Sequence, residues 1–338
     1  MNRANTRRIK IGVIGCSRVA AKTAIPAMKS SDMVEVSMIG SRSLSKSEEY
    51  AQRFGCKSFG SYDDVLRNDD VSVVYVSLPV GLGEDWVIKA AEAGKNILCE
   101  KSSTTSLGSA RRMVEACKRN NVRILESFSF RYHPQHNKIS EMITRYSVGD
   151  LFAFNGSFGF PMPAIDNIRM IKGLGGGVLN DAACYPICAS RIIFQTEPIE
   201  VMASLAFDRE SGVDVKASIF IKYPEDRVAF IAAAFGAYFQ STYSIWGSKA
   251  IVSLKRAYAI PRDWNTSILF HANDKTNELK VESADQFRLM IDNFCEELLE
   301  PGSGEFNFED DLLAQARVME AARLSNKKNR FVRIDELE

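Results

Sequence analysis

The 338-residue sequence predicts an α/β protein, with a doubly wound parallel sheet at its N-terminal end and a C-terminal α+β domain built on a large, mostly antiparallel sheet. Three observations lead there. From Lys10 to about Tyr146, short β-branched runs alternate with amphipathic helical stretches, the pattern of parallel strands covered by helices on both faces. After Gly149 the texture changes to longer runs rich in Phe, Tyr and Val, the mark of an antiparallel sheet. The length also exceeds one ordinary core, so two domains are expected, 1–130 and 131–338, with the last helix able to pack back on the first.

The elements follow in order. Ile11–Ile14, Val34–Gly40, Val73–Leu78, Asn96–Glu100 and Val122–Ser127 are the expected strands of the first domain, separated by helices such as Lys46–Phe54, Trp86–Ala93 and Ser109–Asn120. In the last of these, Ala110, Met113, Val114 and Cys117 fall on one helical face. The second domain is expected to carry strands at Leu151–Phe160, Val201–Phe207, Val215–Tyr223, Val228–Phe235 and Thr242–Trp246. A helix over Leu179–Phe194 interrupts them, and helices over Ala284–Leu299 and Glu309–Leu324 close the chain.

Composition narrows the function classes. With 46% hydrophobic residues, 25% charged residues and a net charge of +1, no polyanion-binding surface is indicated, and nucleic acid is not an expected partner. Apolar runs such as Val228–Phe235 are far shorter than the roughly 20 residues of a membrane helix. The basic N-terminus leads into a strand-like run and not a signal-peptide core, so the cytoplasm is the expected compartment and no membrane partner is expected. The seven cysteines are scattered and read as reduced core thiols. Neither the Cys184/Cys188 pair nor the His133/His136 pair has the partners of a closed zinc site, so no metal is expected.

The run Ile11-Gly12-Val13-Ile14-Gly15-Cys16-Ser17-Arg18-Val19-Ala20 ends a strand and opens a helix, as a degraded G-x-G-x-x-G/A dinucleotide fingerprint does. Gly15 supplies the tight turn and Ala20 the close helix packing. The amides of Ser17 to Val19 would face a pyrophosphate, with Ser17 adding a hydroxyl where a second glycine is usual. A ligand-free strand-to-helix turn is the bland alternative. At the end of the second strand, Gly40-Ser41-Arg42-Ser43 lacks the acid that binds the ribose 2′-hydroxyl of NAD; Ser41 and Arg42 suit a 2′-phosphate, which favours NADP. A solvated surface charge is the lesser alternative for Arg42.

Downstream, Leu78-Pro79 follows one strand, Cys99-Glu100-Lys101 follows another, and Gly175-Gly176-Gly177-Val178-Leu179-Asn180-Asp181 leads to Tyr185. With the fingerprint, these make the chain resemble the Gfo/Idh/MocA oxidoreductase family over nearly its full length. The resemblance implies a Rossmann domain and a Glu-Lys pair beside the nicotinamide. It also implies a helix carrying an Asp and, four residues on, a His or Tyr. Asp181 and Tyr185, spaced i, i+4, would share one helix face. In that reading Lys101, Tyr185 and Asp181 are the catalytic candidates: Tyr185 as proton donor, Lys101 as the charge that stabilises a developing alkoxide, Asp181 orienting substrate or lysine. Cofactor-binding candidates are Gly15, Cys16, Ser17, Arg18, Val19, Ser41, Arg42, Leu78, Pro79, Glu100 and Lys101.

Three departures stand out. Ser102 replaces the proline that usually follows the lysine, often with a cis peptide before it, and a cis bond before a non-proline residue costs about 2.5 to 4 kcal/mol, so the sequence leaves the isomer of this bond open. Gly83 stands where histidine is common, and Ala182-Ala183 replaces a pair usually containing glycine. Within the family, Arg131-Tyr132-His133-Pro134-Gln135-His136 and Tyr185-Pro186-Ile187 resemble the sugar 3-ketoreductases of nucleotide-linked deoxysugars. Arg131, Arg169 and Asp181 are the substrate-binding candidates. For His133 and Pro134, the start of a helix is an equal reading.

The function expected is NADP-dependent hydride transfer at a C–OH or C=O carbon of a sugar, nucleotide-linked keto-sugar, cyclitol or dihydrodiol. The resemblance also leaves open a non-catalytic, NADP-responsive regulator and an NAD-assisted glycosidase. Relatives often dimerise through the open face of the C-terminal sheet, and a homo-oligomer is expected.

Overall fold

Six short strands form the parallel sheet of the first unit. The computed structural model describes residues 8–302 and 306–337. The chain divides into two units, Met1–Ser129 with Phe287–Leu313, and Phe130–Gln286 with Ala314–Glu338.

In chain order the first unit contains β1 (Ile9–Ile14), α1 (Ile25–Ser30), β2 (Val34–Gly40), α2 (Leu44–Phe54), β3 (Ser58–Gly60), α3 (Tyr62–Arg67), β4 (Val73–Val76), α4 (Val80–Glu92), β5 (Asn96–Cys99), α5 (Leu107–Arg119) and β6 (Ile124–Glu126). The strand order is β3-β2-β1-β4-β5-β6, and every pair is parallel. This is the doubly wound order in which the direction of winding reverses between β1 and β4, and ligands of such sheets bind at the carboxyl edge beside that reversal. All four residues of β4 are buried, as helices on both faces require. Polar signals set the helix ends. Ser43 caps α2, which stops at Gly55 in the left-handed region, while Ser61 and Asp64 form a reciprocal capping box on α3.

Within the expected 131–338 domain, whose last helix could pack back on the first, residues 287–313 cluster with the first unit. The cause is visible in the ion pairs. Arg123, just before β6, donates to Glu297 at 3.1 Å and to Glu309 at 3.0 Å, and the Ile124 amide donates to Glu309 at 2.9 Å.

The second sheet has nine strands. After α6 (Pro134–Thr144) come β7 (Leu151–Phe160), α7 (Cys184–Phe194), β8 (Glu200–Phe207), β9 (Asp214–Lys222), β10 (Val228–Phe235), β11 (Gln240–Gly247), β12 (Ile251–Leu254), β13 (Thr266–Ala272) and β14 (Lys275–Val281). Then follow α8 (Gln286–Leu299), α9 (Phe308–Lys328) and β15 (Val332–Arg333). The order is β14-β13-β12-β11-β7-β10-β9-β8-β15, with β7 and β10 the one parallel pair. Along β9 and β10, buried and more exposed residues alternate, so one face of the sheet forms a core and the other does not. The expected helix 179–194 starts as a π-helical turn, Leu179–Ala183, before α7 begins. No helix among the described residues is long and apolar enough to cross a membrane.

Candidate active site

The turn after β1 can be made only by glycine. Gly15 has φ +107°, and a Cβ there would lie 2.4 Å from the Ser77 carbonyl oxygen at the end of β4. The helix that follows opens with exposed Arg18 and Val19 and passes through a π turn at Ala20–Ala24. Ser17 is already engaged: its hydroxyl accepts from the Ala20 amide at 3.0 Å and shares a 2.6 Å bond with the Ser77 hydroxyl. Buried Cys16 donates to the Lys46 carbonyl at 3.7 Å, and burial raises its thiol pKa against the opposing effect of the Ser41 hydroxyl. Leu78 and Pro79 lead from β4 into α4, with Pro79 at its N-cap.

At the end of β2, buried Ser41 accepts from the Ser43 amide at 3.2 Å, fixing the turn. Arg42 is exposed. Its charge acts on Tyr62, whose pKa burial raises and Arg42 pulls back; the Tyr62 ring packs edge-on against Trp86 at 4.8 Å. No acid occupies the end of β2, and the tight glycine turn and this cationic rim fit a dinucleotide with a 2′-phosphate.

Glu100 and Lys101 follow β5 on the same carboxyl edge as the Gly15 turn. Tyr75 donates to Glu100 at 2.5 Å; burial raises the Glu100 pKa, opposed by that bond and by the charge of Lys101. Lys101 acts on Glu100 through its charge and its backbone, beside the hydrogen bond from Tyr75. The Lys101–Ser102 peptide, whose isomer the sequence leaves open, is cis. The segment after it is held from two sides. The Glu126 carboxylate accepts from the buried Ser103 amide at 2.7 Å, and a Cβ on Gly83 of α4 would come within 2.9 Å of the Ser103 carbonyl. This close approach explains why glycine stands where histidine is common.

In the second unit the glycine run builds a framed helix start. Gly175 and Gly177 have φ +76° and +124°. The Asp214 carboxylate, at the start of β9, accepts from the Leu179 amide at 2.6 Å. Asn180 donates to the Gly175 carbonyl at 3.0 Å and accepts from Arg323 at 2.6 Å. Asp181 accepts from Arg169 Nε at 2.6 Å, so two sequence candidates meet in one ion pair, with Arg169 also over the Phe160 ring at 5.7 Å. Tyr185, in the first turn of α7, is half-buried, and its ring lies 5.0 Å from Phe158, 5.6 Å from Tyr258 and 5.8 Å from Phe130. Arg131 sits in a 3-10 turn, Ser129–Tyr132.

His133 and Pro134 do start a helix: His133 Nδ1 accepts from the Gln135 amide and Pro134 opens α6. Burial drives the His133 pKa down to about 4 and that of His136 to about 3, and His136 is bonded to Tyr243 at 2.9 Å and the Ala257 carbonyl at 3.0 Å. Neither ring is a proton donor near neutral pH. No group of three or more metal-ligating side chains occurs among the described residues. Asp214, Glu126 and Tyr75 were not singled out for these roles by the sequence, because each acts on a residue far along the chain.

Residues 9–128 match the model of an oxidoreductase family with an NAD-binding Rossmann fold, and residues 136–253 match the GFO/IDH/MocA C-terminal domain. The chain is 32% identical to a dTDP-3,4-didehydro-2,6-dideoxy-alpha-D-glucose 3-reductase of Saccharopolyspora spinosa, covering 86% of this chain and 87% of the relative. It is 27% identical to a D-xylose 1-dehydrogenase (NADP(+)) of Haloferax volcanii, over 84% and 87% of the two chains. KijD10, a 3-ketoreductase from Actinomadura kijaniata solved with NADP and TDP-benzene, superposes with a TM-score of 0.90 at 28% identity, covering 94% of this chain and 98% of that one. With both domains matched in order and a relative 32% identical over most of both chains, the chain is an oxidoreductase that belongs to the Gfo/Idh/MocA family.

Proposed function

We propose that the protein uses NADP(H) to transfer a hydride at a C–OH or C=O carbon of a carbohydrate-like substrate, and that reduction of a nucleotide-linked keto-sugar is its activity. The observation that carries the reading is the position of Lys101. It stands on the sheet edge that also bears the Gly15 turn, next to a segment that Glu126 holds and Gly83 lets approach closely. The named activities of the relatives support the substrate class.

Bound NADPH would supply the hydride. In this reading Gly15 to Val19 hold the pyrophosphate, Ser41 and Arg42 hold the 2′-phosphate, and Leu78, Pro79 and Glu100 border the cofactor. Lys101 stabilises negative charge growing on the carbonyl oxygen, and the Tyr185 phenol gives that oxygen its proton. Asp181 orients Arg169, which with Arg131 binds the substrate's anionic part. We also propose a homo-oligomer formed through the outward face of the nine-stranded sheet, where Phe230, Trp246 and Ile251 are exposed.

A panel of keto-sugars offered with NADPH, and of polyols offered with NADP, tests the reading through the absorbance of the reduced nicotinamide. Turnover is expected, at least ~10-fold more efficient with NADP(H) than with NAD(H). Preference for NAD(H), or no turnover with either cofactor across both panels, would reject it. Lys101→Ala and Tyr185→Phe are each expected to lower kcat by ~10²–10³-fold while cofactor binding persists.

A further inference from the structure

The side chain that shapes the start of the Asp181–Tyr185 helix comes from a distant strand. Asp214 Oδ2 accepts from the Leu179 amide at 2.6 Å, and the Val178 amide also contributes to the carboxylate's surroundings. Its other oxygen fills the space beside Gly177: a Cβ there would lie 2.1 Å from Asp214 Oδ1. Arg323 lends a favourable charge to Asp214 and donates to Asn180, which in turn donates to Gly175. The π turn is thus anchored by a carboxylate from β9 and an arginine from α9. Asp181 lies two residues beyond the anchored amide, and Tyr185 six.

We infer that Asp214 is a positioning residue for the Asp181–Tyr185 pair, an inference that rests on the oxidoreductase reading above. The rest of α7 does not need Asp214 in order to fold, because Ile187, Cys188, Ala189, Ile193 and Phe194 are all buried. The aromatic ring contacts restrain the plane of Tyr185. The axial and rotational setting of the first turn is fixed by its capped amides, as at any helix start. An acid accepting from those amides makes a charge-assisted bond and leaves the turn one setting. A displacement of about 1 Å at a proton donor can lower a rate by ~10²-fold without unfolding anything.

The test compares Asp214→Ala and Asp214→Asn in the wild-type and Tyr185→Phe backgrounds, with kcat, KM for the keto-sugar, NADPH affinity by fluorescence and thermal unfolding as readouts. Asp214→Ala is expected to lower kcat by ~10–100-fold. NADPH affinity should stay within about twofold, since the fingerprint belongs to the first unit. Asp214→Asn keeps one oxygen acceptor and should recover most of the loss. In the Tyr185→Phe background, where the proton donor is already gone, Asp214→Ala should cost less than about threefold. Equal losses in both backgrounds, or an unchanged kcat, would overturn the inference. If Asp214→Ala does not fold, Asp214→Asn decides by the same comparison: a small loss absorbed by Tyr185→Phe supports positioning, and an additive or absent loss overturns it. An inactive wild type would instead strike the functional reading itself.

Discussion

Arg42 is exposed, borders Tyr62 and stands where an acid would select NAD, so replacing it inverts the local charge without touching a core. Arg42→Asp is expected to shift the ratio of kcat/KM for NADPH over NADH by more than ~10-fold toward NADH, because a carboxylate repels the 2′-phosphate. An unchanged ratio would show that Arg42 is only a solvated charge. The two buried histidines make a second residue-scale prediction. Their folded pKa values, about 4 and about 3, lie below the ordinary value of 6.5, so the unfolded chain takes up protons first as pH falls. The stability that their neutral burial contributes is complete above about pH 6.5 and is lost as pH drops from there toward 4, by at most ~1.4 kcal/mol per pH unit for each histidine. Thermal midpoints measured from pH 7 to 4.5 should fall less steeply for His136→Gln than for wild type, and parallel curves would contradict this. The placement of Lys101 just after β5, and of Asp181 and Tyr185 four residues apart at one helix start, was legible because their motifs are local runs. Asp214, Glu126 and Tyr75 were not, since the amides and carboxylates they meet lie 35, 23 and 25 residues away.

Among the elements, those with a clear period could be read and those without could not. The strands of the first sheet and the amphipathic α5 follow from β-branched runs and a 3.6-residue stripe. β3 has three residues, too few for any period, and most of β14 is exposed, with little apolar pattern to mark it. The π turns at Ala20 and Leu179 leave no local sequence signature, because they are set by what holds them: Ser17 and Ser77 at the first, Asp214 at the second. The capping box on α3 is carried by the short run Ser61-x-x-Asp64. Ser61→Ala should lower unfolding stability by about 1 kcal/mol in denaturant titration, with activity retained. A change below the error of the titration would mean that Asp64 alone satisfies the helix start.

For the whole molecule, two domains are expected from the length and the texture, whereas the clustering of residues 287–313 with the first unit goes with the Arg123 ion pairs, which no sequence pattern marks. The outward sheet face pairs Phe220 with Phe230 at 5.1 Å, and Ser204, Ser218 and Ser157 lie in one cross-strand row. Aromatic and small residues together suit close packing against a second copy. Phe230→Arg should therefore reduce the mass measured by light scattering to that of a single chain, and a monomeric wild type would contradict the proposed oligomer. The most direct measurement of the central claim is a single-turnover reaction with NADPH carrying deuterium in place of the transferable hydride. Deuterium is expected on the carbinol carbon of the reduced sugar, with a primary isotope effect and a ~10²-fold or greater slowing in Lys101→Ala that still binds NADPH. A product without deuterium, or a Lys101→Ala rate equal to that of wild type, would contradict it.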